Sequence, residues 1–245
     1  MPLVSARLRP TGLPPRRLAL GGLVLGGIVL LAPPVARAQD AALAPAFTSQ
    51  TAPPSLAATG FMSAVVLVDL DSDGDLDAVE GLASGAVLSS LNTAGPTAPP
   101  VYARRAAGAA GLPAVVSFAA VPAAGDIDGD GDTDLVIGGG DGELRVSLNT
   151  AGAGALAAFS AATLSPYGLS DVGDNAAPTL GDVNGDGDLD LLVGRTDGTV
   201  AYFENTAGPA ATPAFALRTG AANPLAALDV GFSSAPHLVD LDGDG

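Results

Sequence analysis

The sequence predicts an all-β fold, a β-propeller of four-stranded blades about 57 residues long, placed after an N-terminal export signal. Three observations carry this reading. Two landmarks recur in one register along the chain, and the apolar residues between them fall in runs of strand length. The first 38 residues also differ in charge and hydropathy from everything that follows.

Residues 1–38 hold five of the ten arginines, Arg7, Arg9, Arg16, Arg17 and Arg37, and no acid. An apolar run from Leu18 to Ala32 follows the charged start, and Ala36-Arg37-Ala38 closes it. These are the parts of a secretory signal peptide, with cleavage expected after Ala38. The run of 15 residues falls short of the roughly 20 that cross a bilayer, so no membrane span is expected in the mature chain. Arg16-Arg17 leaves both general and twin-arginine export open. Residues 39–58, rich in Ala, Pro, Ser and Thr without periodicity, read as a linker.

The repeats occupy 59–245. Asp69-Leu-Asp71-Ser-Asp73-Gly74-Asp75-Leu-Asp77 returns as Asp126-Ile-Asp128-Gly-Asp130-Gly131-Asp132-Thr-Asp134, then as Asp182-Val-Asn184-Gly-Asp186-Gly187-Asp188-Leu-Asp190. A fourth copy begins at Asp240, Asp242 and Asp244, giving offsets of 57, 56 and 58 residues. The second landmark, Asn-Thr-Ala-Gly at Asn92, Asn149 and Asn205, keeps the same period. Blades are expected at about 59–116, 117–173 and 174–231, with a partial one at 232–245. About 3.3 units are present where closed propellers have at least four blades, so the chain is expected to be a fragment of a longer protein.

Strand-length runs lie at Val65–Val68, Ala78–Val79, Ala86–Leu91 and Val101–Arg104 in the first unit, and at Leu135–Ile137 and Glu143–Leu148 in the second. The third has Ala177–Val183, Leu189–Val193, Thr199–Asn205 and Ala214–Arg218. None reaches the 10 to 12 residues of an ordinary helix.

The acidic loops carry the chemistry. Oxygen-bearing side chains stand at loop positions 1, 3 and 5, glycine at 6 and aspartate at 9. Alternate residues can turn their carboxylates to one point while glycine folds the chain back over it. Close carboxylate pairs repel by about 1 kcal/mol even in water, so these loops call for a cation. An all-oxygen, charged donor set suits Ca2+ better than Mg2+, which keeps its waters. The candidate metal residues are Asp69, Asp71, Asp73, Asp75 and Asp77; Asp126, Asp128, Asp130, Asp132 and Asp134; Asp182, Asn184, Asp186, Asp188 and Asp190; and Asp240, Asp242 and Asp244. At position 7 the backbone carbonyl is the expected ligand, so the side chains of Asp75, Asp132 and Asp188 are expected to face solvent. An EF-hand shares this loop start, and Glu80 falls at position 12 of the first copy. Ile137 and Val193 occupy that position in the other copies and cannot ligate. The loops therefore read as β-hairpin calcium sites, with Glu80 a solvent-facing strand residue.

The units resemble the FG-GAP and VCBS-type repeats of integrin-like β-propellers from about Ala58 to Gly245. Ala177-Pro178 and Ala235-Pro236 echo that family's Gly-Ala-Pro stretch. The resemblance implies calcium ligands at Asp69, Asp71, Asp73 and Asp77, at Asp126, Asp128, Asp130 and Asp134, and at Asp182, Asn184, Asp186 and Asp190. It also implies that partners are engaged through other loops.

Past residue 38, five arginines face all 26 acids, a net charge of −21 that argues against nucleic acid. The absence of cysteine excludes thiolate metal sites and cysteine nucleophiles, and the absence of lysine excludes P-loop and Schiff-base chemistry. His237, the single histidine, aligns with Thr179 and reads as a repeat-strand position. Gly138-Gly139-Gly140-Asp141-Gly142 reads as a hairpin turn and not a dinucleotide loop. No catalytic set emerges. Two readings stand: a secreted, periplasmic or cell-surface calcium-binding propeller acting as a non-catalytic adhesion or binding module for a protein or carbohydrate ligand, or the supporting propeller of an extracellular carbohydrate-active lyase or hydrolase whose catalytic residues lie beyond residue 245.

Overall fold

The computed structural model describes residues 63–95, 98–106, 112, 116–152, 154–208 and 210–239. The signal and linker readings (1–38 and 39–58) and the fourth loop's Asp240, Asp242 and Asp244 lie outside the described residues.

The fold is all-β, as the sequence predicts. Strands β1 (Ser63–Val68), β2 (Asp77–Leu82), β3 (Val87–Asn92) and β4 (Tyr102–Arg104) form one antiparallel meander. A second contains β5 (Val121–Gly125), β6 (Asp134–Gly138), β7 (Leu144–Ser147) and β8 (Thr163–Leu164), and a third contains β9 (Ala177–Gly181), β10 (Asp190–Gly194), β11 (Val200–Asn205) and β12 (Phe215–Arg218). The only helical element among the described residues is a 3-10 turn at Gly220–Ala222, and no helix there is long and apolar enough to cross a membrane. β5 and β8 do not stand out in the sequence. The first reads Val-Pro-Ala-Ala-Gly and the second is two residues long, so both depend on their neighbours for strand geometry.

First strands of successive sheets lie against each other, β1 with β5 and β5 with β9, as in blades set around a common axis. The second strand of each sheet is buried on both faces. Val79 joins Leu135 and Ile137 in the core between the first two sheets, whereas Val136 joins Leu191 and Val193 in the core between the second and third. Two-sided burial is why β6 and β10 read as unbroken apolar runs after their first aspartate, whereas Glu80 interrupts β2.

One junction recurs between units. The chain entering each new unit donates two backbone N–H groups to the preceding hairpin turn: Ala119 to Ala83 and Ala120 to Leu82, Asn175 to Gly140 and Ala176 to Gly139, and Ser233 to Thr196 and Ser234 to Arg195, all at 3.0–3.1 Å except Ser233 at 2.9 Å. Ala119, Asn175 and Ser233 reach this contact with left-handed φ of 49°, 58° and 53°. Asparagine tolerates that region, but alanine bears a cost of about 1–2 kcal/mol there. Glycine loses about 0.5–1 kcal/mol through its freer unfolded chain, so Ala119→Gly is expected to be neutral or to stabilise by up to about 1 kcal/mol. Urea denaturation measures this; a loss above about 1 kcal/mol would contradict the left-handed assignment.

Candidate metal centre

Each acidic loop joins the first and second strands of its sheet. Position 9, the first residue of the second strand, is the structural anchor. Asp77, Asp134 and Asp190 are fully buried, and each carboxylate accepts two backbone N–H groups. One comes from loop position 2: Leu70 to Asp77 at 2.7 Å, Ile127 to Asp134 at 3.0 Å and Val183 to Asp190 at 3.0 Å. The other comes from the asparagine of the second landmark: Asn92 at 2.6 Å, Asn149 at 2.7 Å and Asn205 at 2.8 Å. This gives Asn-Thr-Ala-Gly a physical role. Its asparagine ties the third strand to the acidic loop, and its side-chain oxygen accepts N–H groups on both sides of the following turn, from Ala151 at 3.2 Å and Ala158 at 2.9 Å in the second unit. The Tyr202 hydroxyl also donates to Asp190 at 3.0 Å.

Burial, aided by neighbouring carboxylates, raises these groups above the ordinary aspartate range: Asp77 to about 6 and Asp134 to about 7, with Asp190 shifted the same way. Without a cation the loops hold more carboxylate than their surroundings favour in ionised form.

Position 1 folds the loop. In the second copy Asp126 accepts the N–H groups of Gly129 at 2.7 Å, Asp130 at 3.1 Å and Gly131 at 3.0 Å. Gly131 at position 6 has φ +93°, in keeping with the expected turn glycine. Position 4 is left-handed too, with Ser72 at φ 60° where the other copies have glycine. The sequence reading did not separate this position from the turn.

The loops bring Asp69, Asp71 and Asp77 together, and separately Asp126, Asp128 and Asp130, each set offering carboxylate oxygens within 4.8 Å of one another. Asp73, Asp75, Asp132 and Asp134 lie outside these sets. In the third loop Asn184 replaces a carboxylate and donates its side-chain amide to Asp186 at 2.8 Å; no three carboxylates converge there among the described residues.

Three expectations need correction: those for the position-7 side chains, for Glu80 and for His237 as a repeat-strand position. The position-7 side chains do not face solvent: Asp75, Asp132 and Asp188 are 5%, 8% and 9% exposed. Asp132 turns toward the Asn-Thr-Ala-Gly turn and accepts the Gly152 N–H at 2.9 Å. The cause is the hairpin setting, which places a second turn against the loop's outer side. Glu80 is likewise buried, at 6% exposure, because Arg104 on β4 reaches back across the sheet to it at 2.7 Å. It belongs to an ion pair within the first sheet. His237 is exposed and lies outside the strands, and residues 138–142 form the expected hairpin turn, with Gly142 donating to Gly139 at 3.0 Å.

The donor set meets one physical test for a cation. Asp69 Oδ1, Asp71 Oδ1, both oxygens of Asp75, Asp128 Oδ1 and Asp132 Oδ1 are buried without a hydrogen-bond partner. Buried ionised oxygens in that condition cost several kcal/mol unless a positive charge faces them. No arginine forms an ion pair with these carboxylates among the described residues, so a hard, oxygen-seeking metal ion fits.

The loops are also wedged between units. Leu70 and Ile127, at position 2, sit in successive inter-sheet cores. The Leu70 carbonyl accepts the Ala157 N–H at 2.7 Å from the second unit, and the Ile127 carbonyl accepts the Asn205 side-chain amide at 3.4 Å from the third. Order in a loop is therefore order at a junction.

A family model described as the FG-GAP-like repeat matches residues 126–193, which begin at the second acidic loop and run through the third to the end of β10's apolar core. No curated protein and no solved structure matches the chain. Residues 126–193 thus match the FG-GAP-like repeat, and the four-stranded antiparallel sheets repeated among the described residues are consistent with repeats of that kind.

Proposed function

We propose that this chain is a calcium-binding β-propeller module, exported from the cell, that engages a protein or carbohydrate partner without catalysing a reaction. The observation that carries the calcium reading is the set of buried, unpartnered carboxylate oxygens on Asp69, Asp71, Asp75, Asp128 and Asp132. Asp69, Asp71 and Asp77 would hold one ion and Asp126, Asp128 and Asp130 another, with Asp182, Asn184, Asp186 and Asp190 supplying a weaker third site. Bound calcium supplies the positive charge that lets these oxygens stay ionised. The loops then hold Leu70 and Ile127 in the inter-sheet cores, which keeps adjacent sheets in fixed relation.

Rigidity of this kind serves recognition, since loops held by a stiff scaffold lose little entropy on binding. The loops free to meet a partner lie at the other end of the sheets, between second and third strands and at the unit junctions. Exposed Phe118 and Phe232 stand there at matching positions of the first and third unit junctions, with Asp174 at the same position of the second. Calorimetric titration of calcium into metal-stripped protein tests the proposal. Saturable binding of at least two ions, with one lost in Asp128→Ala, is the expected result; absence of heat and of any competition with a calcium indicator contradicts it.

A further inference from the structure

The third acidic loop departs from the other two at position 3, where Asn184 stands in place of Asp71 and Asp128 and is followed by Gly185. Of the six asparagines in the chain only this one precedes glycine; the others precede threonine, alanine or proline, and Asn92, Asn149 and Asn205 are buried. Both residues of the pair are exposed. A glycine nitrogen has no Cβ beside it, so it can approach the preceding side-chain amide with little hindrance.

Three groups around the pair are placed as attack on that amide requires. Asp182 Oδ1 accepts the Gly185 N–H at 2.6 Å, the backbone N–H of Asp186 donates to Asn184 Oδ1 at 2.9 Å, and Asp186 Oδ2 accepts from the Asn184 side-chain nitrogen at 2.8 Å. In turn these are a proton acceptor at the nucleophile, a donor at the oxygen where negative charge develops, and an anchor on the departing nitrogen. We propose that Asn184-Gly185 is a self-modifying site, deamidated by the loop that holds it. The Gly185 nitrogen bonds to Asn184 Cγ as its proton passes to Asp182; the Cγ–Nδ2 bond then breaks, and that proton leaves with the nitrogen as ammonia. Water opens the resulting succinimide at either carbonyl, leaving an aspartate or an isoaspartate at position 184. One water is consumed, one ammonia is released, and nothing is oxidised. The aspartate product gives the third loop the position-3 carboxylate of the other two, whereas the isoaspartate product lengthens its backbone.

The chemistry requires no bound ion, so the test is run in excess chelator and its failure would leave the calcium reading untouched. The full chain and a free peptide spanning Leu180–Asp190 are incubated side by side at neutral pH, and conversion at position 184 is followed by mass spectrometry of digests, with enzymatic detection of isoaspartate. The expected result is conversion in the folded chain about tenfold or more faster than in the peptide, a modest part of what positioned acid–base groups contribute. Asp182→Asn keeps an acceptor for Gly185 but loses the charge that takes its proton. It is expected to fall to the peptide's rate or below, with the far-ultraviolet circular dichroism of wild type. A wild-type chain no faster than the peptide overturns the proposal, as does a natively folded Asp182→Asn chain that keeps the wild-type rate. If Asp182→Asn misfolds, the comparison of wild type with peptide decides.

Discussion

Gly138→Ala is expected to lower stability by about 3 kcal/mol and to do so by parting the second and third sheets. A Cβ at Gly138 would lie inside the contact radius of the Ala176 carbonyl oxygen and 2.8 Å from Cδ of Pro178. Neither neighbour can yield alone. Ala176 is held by its N–H to Gly139 at 3.1 Å, and proline has a fixed ring. Relief requires the junction to open, which strains packing by roughly 1–3 kcal/mol and puts at risk two backbone hydrogen bonds worth about 1 kcal/mol each. Gly81 faces Ala120 and Pro122 in the same way, and Gly194 faces Ser234 and Pro236, so the three glycines form one series. Thermal or urea unfolding measures the loss. Wild-type stability in Gly138→Ala would show that the junction is looser than its backbone hydrogen bonds imply.

Asp134→Ala should cost as much or more. Removing this carboxylate strands the N–H groups of Ile127 and Asn149, both in buried surroundings, at about 1–3 kcal/mol each, for a total of roughly 3–5 kcal/mol. Asp134→Asn is not a benign control. Its oxygen can accept one of the two N–H groups, but its amide then points a donor at the other. Both variants are expected to broaden the unfolding transition as well, because the loop, the third strand and the inter-sheet core at Ile127 are joined through this side chain. A cooperative transition at the wild-type midpoint in Asp134→Ala would contradict the anchoring role.

Much of the fold and part of the site can be read from the sequence because their determinants are local. The turn glycine at position 6, the alternating carboxylates and the apolar second strands each announce themselves within about ten residues, and the period links them. Other features depend on chain that is distant or in the next unit. Strand β5 contains a proline and two alanines and forms against β6 and its neighbouring sheets. Glu80 looks like a solvent-facing strand residue until Arg104 is placed beside it, 24 positions later. Asp132 looks free until the Gly152 turn folds over it, 20 positions later. The role of Gly81, Gly138 and Gly194 is set by the entry of the following unit, which no local pattern records. The asparagine landmark was visible as a repeat, but its hydrogen bond to position 9 required the sheet's register.

On the proposed reading, a divalent cation at the acidic loops holds successive sheets together. Differential scanning calorimetry of the full chain, in excess calcium and in excess chelator, tests it most directly. A calcium-dependent rise in the melting temperature of several degrees, diminished in Asp130→Ala, is the predicted result. Superimposable melting curves in calcium and chelator would contradict it.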